Sequence, residues 1–376
     1  WALSVIRHAV KGKVFFKYRE LPEFVEKIKF SSGILGALSH FVRQKVRDVD
    51  AAISKEFLTK EKLLRAWKES HSKALYPRLK DFKHDVSESD LPVKEKQVAL
   101  DYVKNLLADQ EDYVGDLYDL LSDVKLLASF LPTEHKLEDH LLYLRRVIGK
   151  DRRKSQLDYY DMSLILRLIQ LKYGGLPNKH GGVSGLDHLV IDEAQDFGPV
   201  EFSIMMDAVG DKRDLTIVGD VSQKILFSRK FIGWENILDN LEIKKDTLIQ
   251  LEVSFRCTVA IMNLARKVEG RKYPISFGRP GSPVIWHRAV DQNDFLETLA
   301  DWVNGLMKND PYKLIALICR YPKQAMELKD HLEKMISCEV RIGHRDQFSF
   351  EPGVIISNIH QIKGLEFDAV ALINPS

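Results

Sequence analysis

Cysteine is scarce in this chain: Cys257, Cys319 and Cys338 are the only three in 376 residues. So few and so scattered, they exclude a disulfide framework and a zinc site and fit a reducing compartment, with the cytoplasm expected. An excess of one charge is also lacking, because 56 Lys and Arg stand against 54 Asp and Glu. No overall field draws in a polyanion, so any nucleic-acid surface has to be local. No apolar run reaches the roughly 18–20 residues of a membrane span, and no signal-peptide pattern opens the chain. Neither an internal repeat nor a low-complexity segment is present. The pattern GxxxxGK[ST], a loop whose backbone N–H groups cradle phosphates, is absent as well. Its nearest approaches are Gly12-Lys13, followed by valine, and Gly149-Lys150, followed by aspartate.

What the chain does have is enough apolar content, 45% of 376 residues, to bury a sizeable core in two or three domains. From about Leu21 to Tyr173 it is rich in Leu, Lys, Glu and Asp, almost free of glycine, and spaced like amphipathic helices. In "VALDYVKNLLADQEDYVGDLYDLLSDVKLLASFL", Ala99, Tyr102, Val103, Leu106 and Leu107 share a stripe that continues through Leu117, Leu120 and Leu121. Two charged stretches interrupt this region. "RRVIGKDRRK" gathers Arg145, Arg146, Lys150, Arg152, Arg153 and Lys154, either a solvated helix end or a phosphate contact. "HDVSESD", residues 84–90, is either a polar turn between helices or the acidic tip of a protruding arm. At "KYGGLPNKHGGVSG", residues 172–185, five glycines and a proline mark a junction. Beyond it, "LDHLVID", "DLTIVGD", "YKLIALICR" and "GVIISNI" read as strands, with helical patterns such as "KQAMELKDHLEKMIS" between some of them, an alternation that predicts parallel α/β sheets.

"LVIDEAQDFGPVEF", residues 189–202, is an apolar run that ends in carboxylates. Leu189–Ile191 reads as a buried central strand, placing Asp192 and Glu193 at its carboxyl end, where open α/β sheets bind ligands. Two acids there can divide the work, one coordinating Mg²⁺ and the other taking a proton from a water that attacks a phosphate. A bare Asp-Glu pair after a strand also serves as a helix cap. A second strand, "LTIVGD", ends in Asp220 and leads to Gln223, whose amide can both donate to a phosphate and accept from water. Arg256, at the start of the helical pattern in "VSFRCTVAIMNLARKV", either supplies positive charge to phosphoryl transfer or is solvated. "SNIHQIKGLEFDAVALI" holds His360, Lys363, Gly364 and Glu366 in a polar loop between two strand-like runs.

In this order the pieces resemble the superfamily 1 helicases of the UvrD and Rep type. "DEAQD" is similar to their Walker B motif, "VGDVSQ" to their third motif, "VSFRCT" to the fourth and "HQIKGLEFD" to the fifth; "DYYDMSLIL" matches the stretch that precedes Walker B. The resemblance covers residues 158–376 and treats the first 150 as a helical insertion. It implies an α/β fold of two RecA-like parallel-sheet ATPase domains with a large helical insertion domain. The boundaries read as 1–20, a remnant of the first RecA-like domain; 21–178, the insertion; 179–250, the rest of the first RecA-like domain; and 251–376, the second.

The activity it implies is that of an ATP-dependent DNA helicase or translocase, moving 3′ to 5′ on single-stranded or tailed DNA, with ATP and Mg²⁺ as cofactors. Asp192 is then the Mg²⁺ ligand and Glu193 the base. Gln195 and Gln223 lie near the γ-phosphate, with Asp220 and Gly364 in the nucleotide site. Arg256 is a phosphate finger and Glu366 contacts the sugar, while Ser357 and His360 face nucleic acid. The family's base-stacking aromatic aligns with Ser228, leaving Phe227 and Trp234 as the candidate platforms, or as core. That replacement, together with a stretch from Arg256 to Gly364 too short for a second large insertion, is similar to the helicase IV and HelD branch. HelD-like proteins remodel RNA polymerase, so RNA polymerase is the alternative partner. Trp1 in place of a methionine and a strand-like run at the other end lead us to expect a fragment, unable to hydrolyse ATP alone, with the phosphate loop before Trp1 and the sixth motif after Ser376.

Overall fold

A computed structural model describes residues 15–16, 22–29, 31–133, 137–158, 160–177, 183–209, 214–220, 233–235, 248–251, 256–270, 278–343, 348–359 and 361–374. It is a mixed α/β structure, mostly helical, with parallel strand pairs, and it divides into two compact units, Trp1–Ile249 and Gln250–Ser376. Among the described residues no helix is long and apolar enough to cross a membrane.

The first unit runs β1 (Phe15–Phe16), α1 (Glu23–Lys29), α2 (Ser32–Glu56), α3 (Glu61–Glu69), α4 (Leu75–Glu88), α5 (Val93–Gln110), α6 (Tyr113–Ser122), α7 (Val124–Phe130), α8 (Leu137–Lys154) and β2 (Gln156–Leu157). It continues through α9 (Asp161–Tyr173), β3 (Leu176–Pro177), β4 (Val183–Ser184), β5 (Leu189–Ile191), α10 (Pro199–Met206) and β6 (Leu215–Ile217). Helix starts are set by side chains that satisfy orphan backbone donors: Ser31 accepts from Ile34 N, Asp112 from Gly115 N and Asp123 from Leu126 N. Helix α9 ends where Gly174 turns left-handed, at φ 76°, and Gly175 N bonds back to Gln170 O.

The stripe read along residues 99–121 is broken by the Asp112 cap, and its two halves enter different cores. Ala99 and Val103 pack with Phe57, Trp67 and Phe82 from α2–α4, whereas Leu117, Leu120 and Leu121 pack with residues of α1, α2, α7, α8 and α9. Helix α2 is long enough to serve both cores. "HDVSESD" is the last turn of α4 and part of the short link to α5. The second core runs across position 178, because Val200 and Ile204 of α10 and the adjoining Ala208 belong to it.

The second unit contains α11 (Val259–Val268), α12 (Gln292–Asn309), β7 (Leu314–Cys319), α13 (Pro322–Leu332), β8 (Val340–Ile342), β9 (Gly353–Asn358) and β10 (Ala369–Leu372). Its strands form a parallel sheet in the order β10-β7-β9-β8. Every position of β7 and β9 is buried, as in parallel sheets covered on both faces. Helices α12 and α13 supply part of that cover.

Burial of charge also organises the first unit. Lys29, on α1, is 1% exposed and donates to Asp158 at 2.7 Å and Asp161 at 2.5 Å. Burial, with the nearby Asp158 charge, pushes the Asp161 carboxyl from 3.8 up to about 6 against the pull of Lys29. Burial alone lowers the Lys29 pKa, but the two carboxylates outweigh it and raise it. A carboxyl whose folded pKa is raised favours folding below its ordinary value and loses that contribution as pH rises through the folded one. Lys29→Met strands two buried carboxylates and is expected to cost about 3–5 kcal/mol at pH 7. The loss should shrink at pH 5, where Asp161 holds a proton. Urea titrations at both values check this; equal losses would contradict it.

Candidate active site

Strands β5 and β6 pair in parallel, Leu189 with Leu215 and Ile191 with Ile217, so both chains leave the sheet on the same side. The expectation of a buried central strand is corrected here: among the described residues β5 pairs with β6 alone. Ile191 is buried but Val190 is 63% exposed. The strand ends are joined by backbone bonds from Val218 N to Ile191 O at 2.7 Å and from Ala194 N to Val218 O at 2.9 Å.

Asp192 is exposed, and its Oδ1 accepts from Glu193 N at 2.8 Å. Glu193 then adopts φ 53° and ψ 41°, a left-handed conformation uncommon for a residue with a side chain. Holding it costs of order 1–3 kcal/mol, so the surroundings must over-determine it. They do so through Gln195, which is 0% exposed. Its Nε2 donates to Glu193 Oε2 at 2.5 Å and its Oε1 accepts from Asp220 N at 2.8 Å. One amide therefore fixes the Glu193 carboxylate and ties it to the end of β6. Asp220 itself is exposed.

Gln195, which the resemblance puts near the γ-phosphate, is buried here with both ends of its amide engaged. A residue the sequence reading passed over is Gly219. A Cβ there would lie 2.7 Å from Gln195 Oε1 and 3.1 Å from Ala194 Cβ, so glycine is what lets β6 approach the corner. Its only sequence signal is the Gly-Asp step, common at strand ends. Trp234 packs against the cluster of Ile191, Ala194 and Phe202, in keeping with the core alternative for this residue. Gln223, Phe227 and Ser228 lie outside the described residues, as does His360.

In the second unit, Arg256 stands just before Thr258, whose hydroxyl caps α11. Its guanidinium pairs with Glu366 at 2.7 Å, with both side chains more than half exposed. Gly364 takes φ 79° in the loop between β9 and β10. Asp368 pins that loop: its Oδ2 accepts from Leu314 N at 2.9 Å while its own N donates to Leu314 O at 3.0 Å. Ser357 is 2% exposed and its hydroxyl donates to Gly343 O at 2.8 Å, so it is committed to the sheet. The basic run on α8 is exposed at Arg145, Arg146, Lys150 and Arg152–Lys154, with Arg152 paired to Asp119.

Asp192 offers a hard, exposed oxygen of the kind Mg²⁺ takes. No group of three or more His, Cys, Asp or Glu is gathered to hold a metal among the described residues. That donor set fits Mg²⁺ held by one or two carboxylates together with phosphate oxygens, and not an all-protein cage.

No family model matches the chain. Over 166 residues, 41% of this chain, it is 28% identical to the ATP-dependent DNA helicase UvrD2 of Mycobacterium tuberculosis and to that of Mycobacterium bovis. The similarity is distant and partial, because the match spans 24% of the length of those relatives.

Gly219→Ala tests the corner. The far end of a side chain usually yields, but Gln195 is buried and bonded at both ends, so we expect a loss of about 1–3 kcal/mol. Chemical denaturation measures it, and unchanged stability would show that Gln195 is free to move.

Proposed function

We propose that this chain is part of an ATP-dependent DNA helicase or translocase of superfamily 1, working in the cytoplasm. Both units are read as RecA-like: residues 179–250, with 1–20, form the first domain, 21–178 its helical insertion, and 251–376 the second. The observation that carries this reading is the corner at Asp192–Glu193, where a carboxylate is held in a costly backbone conformation by a buried amide at the ends of two parallel strands. Strain of that kind, kept where a ligand site is expected, is characteristic of functional positions. Partial similarity to a DNA helicase supports the same reading.

In this reading Asp192 is the ligand to Mg²⁺ and Glu193 holds the attacking water and takes its proton. ATP supplies the phosphate that is attacked and the oxygens that complete the metal's shell. Arg256 contributes positive charge, and Gly364 and Glu366 belong to the nucleotide side of the second unit. Asp220 and Gln223 border the phosphate, while Phe227 and His360 are the residues assigned to nucleic acid, single-stranded or tailed DNA traversed from 3′ to 5′. No observation favours the RNA-polymerase reading, so it is kept as an outcome of the test.

In the full-length protein, Glu193→Gln is expected to leave ATP binding nearly unchanged while lowering turnover by roughly 10²–10⁴, the usual contribution of a general base. DNA-stimulated phosphate release and nucleotide affinity, measured in parallel with RNA polymerase capture, check this. Normal turnover in the variant would remove Glu193 from the chemistry, and polymerase capture without DNA unwinding would favour the remodelling factor.

A further inference from the structure

Two residues given separate roles in the reading above touch each other. Arg256 Nε lies 2.7 Å from Glu366 Oε1, although the two stand more than a hundred positions apart in the chain. Their side chains are 63% and 60% exposed. An ion pair so exposed adds little to stability, because water screens it and two long side chains have to be held still. The fold has small need of this pair. What the contact does set is the direction of a guanidinium.

Both partners stand on anchored backbone. Beside Arg256, the Thr258 hydroxyl caps α11, Val259 N donates to Arg279 O at 2.9 Å, and a Cβ on Gly281 would overlap the Thr258 side chain. The chain entering α11 is therefore packed against residues 279–281. Beside Glu366, Leu365 N donates to Ile362 O at 3.0 Å and Gly364 turns left-handed. Two residues further on, Asp368 is bonded to Leu314 through both its carboxylate and its backbone. An arginine and a carboxylate carried on fixed supports meet with less loss of freedom than two carried on loose ones.

A guanidinium is planar, with five N–H donors in a rigid fork. Approach of a carboxylate at Nε fixes the plane of the group and leaves the far edge, with donors on both terminal nitrogens, to grip two phosphate oxygens. The carboxylate also offsets part of the positive charge, but at this exposure solvent screens that effect. Misplacing a group by about 1 Å, by contrast, costs up to about 10² in rate, so orientation outweighs the lost charge.

We propose that Glu366 is a positioning residue for Arg256, holding the guanidinium in the orientation in which it meets the phosphate, and that this, more than contact with the sugar, is its part in hydrolysis. The role depends on Arg256 supplying positive charge to phosphoryl transfer, as read above.

Single-turnover hydrolysis and nucleotide affinity of the full-length protein test this, with Arg256→Ala, Glu366→Ala and the pair together, each on ATP, 2′-deoxy-ATP and 3′-deoxy-ATP. Glu366→Ala is expected to slow hydrolysis by roughly 10- to 100-fold, with nucleotide affinity and unfolding midpoint unchanged. In the Arg256→Ala background it should add almost nothing. The loss should be the same on all three nucleotides. A loss that appears in affinity and vanishes on a deoxy nucleotide would assign Glu366 to the sugar and overturn the proposal, as would losses that add across the two residues. Slow hydrolysis by Arg256→Ala beside a silent Glu366→Ala overturns the proposal alone, whereas unchanged hydrolysis by Arg256→Ala removes the arginine from the reading above and this role with it.

Discussion

The candidate site depends on one buried amide. Gln195 accepts from the backbone where β6 ends and donates to the carboxylate that follows β5, so the two strand exits are held at a fixed separation. Without that bridge, the left-handed backbone at Glu193 would have little to hold it, and relaxation would recover of order 1–3 kcal/mol. A neutral amide suits the role better than a charged group. It can be fully buried with both ends satisfied, where an ion would carry a desolvation penalty of several kcal/mol. The close approach of Gly219 follows from the same geometry, because any side chain at that position would occupy the space of the amide oxygen.

The corner is in turn rooted in the helical region. Helix α10 begins just beyond it, with Glu201 accepting from Gly198 N, and buries Val200 and Ile204 in the core shared by α1, α2 and α6–α9. Helix α9 grips α10 through polar contacts: Gln170 Nε2 donates to Ile204 O at 2.9 Å and Arg167 pairs with Asp207 at 2.6 Å. The same helix carries Asp161, bound to Lys29, and Lys172, bound to Asp116 and to the Gln110 carbonyl. Buried ion pairs are weak sources of net stability, but breaking one is expensive, so they fix which helix meets which. Through α9, the packing of the helical region and the position of the acidic corner are one problem.

Much of this was legible in the residues. Periodicity gave the helical region, and β-rich apolar runs gave β6, β7 and β9, the last two of which are buried on both faces. The stripe across residues 99–121 misled where Asp112 caps a new helix: periodicity counts positions and does not see a local hydrogen bond redirect the chain. The buried-strand reading of Leu189–Ile191 failed at Val190, since three apolar residues do not say how many neighbours a strand has. The roles of Gln195 and Gly219 could not be read at all. Both depend on contacts between the ends of two strands far apart in sequence, and neither residue type is distinctive at such a place. Lys29 was equally silent, a lysine within an amphipathic pattern whose two partners lie more than a hundred positions away.

The central claim is that Gln195 acts through Glu193, holding its carboxylate where a water can be activated. A double-mutant cycle on single-turnover ATP hydrolysis by the full-length protein tests it, using Gln195→Leu, Glu193→Gln and the pair together. If the claim is right, Gln195→Leu slows hydrolysis by itself but adds almost nothing once Glu193 is already glutamine, since the group it positions has lost its function. Additive losses would mean that the two residues act separately, and the account of this corner would then be wrong.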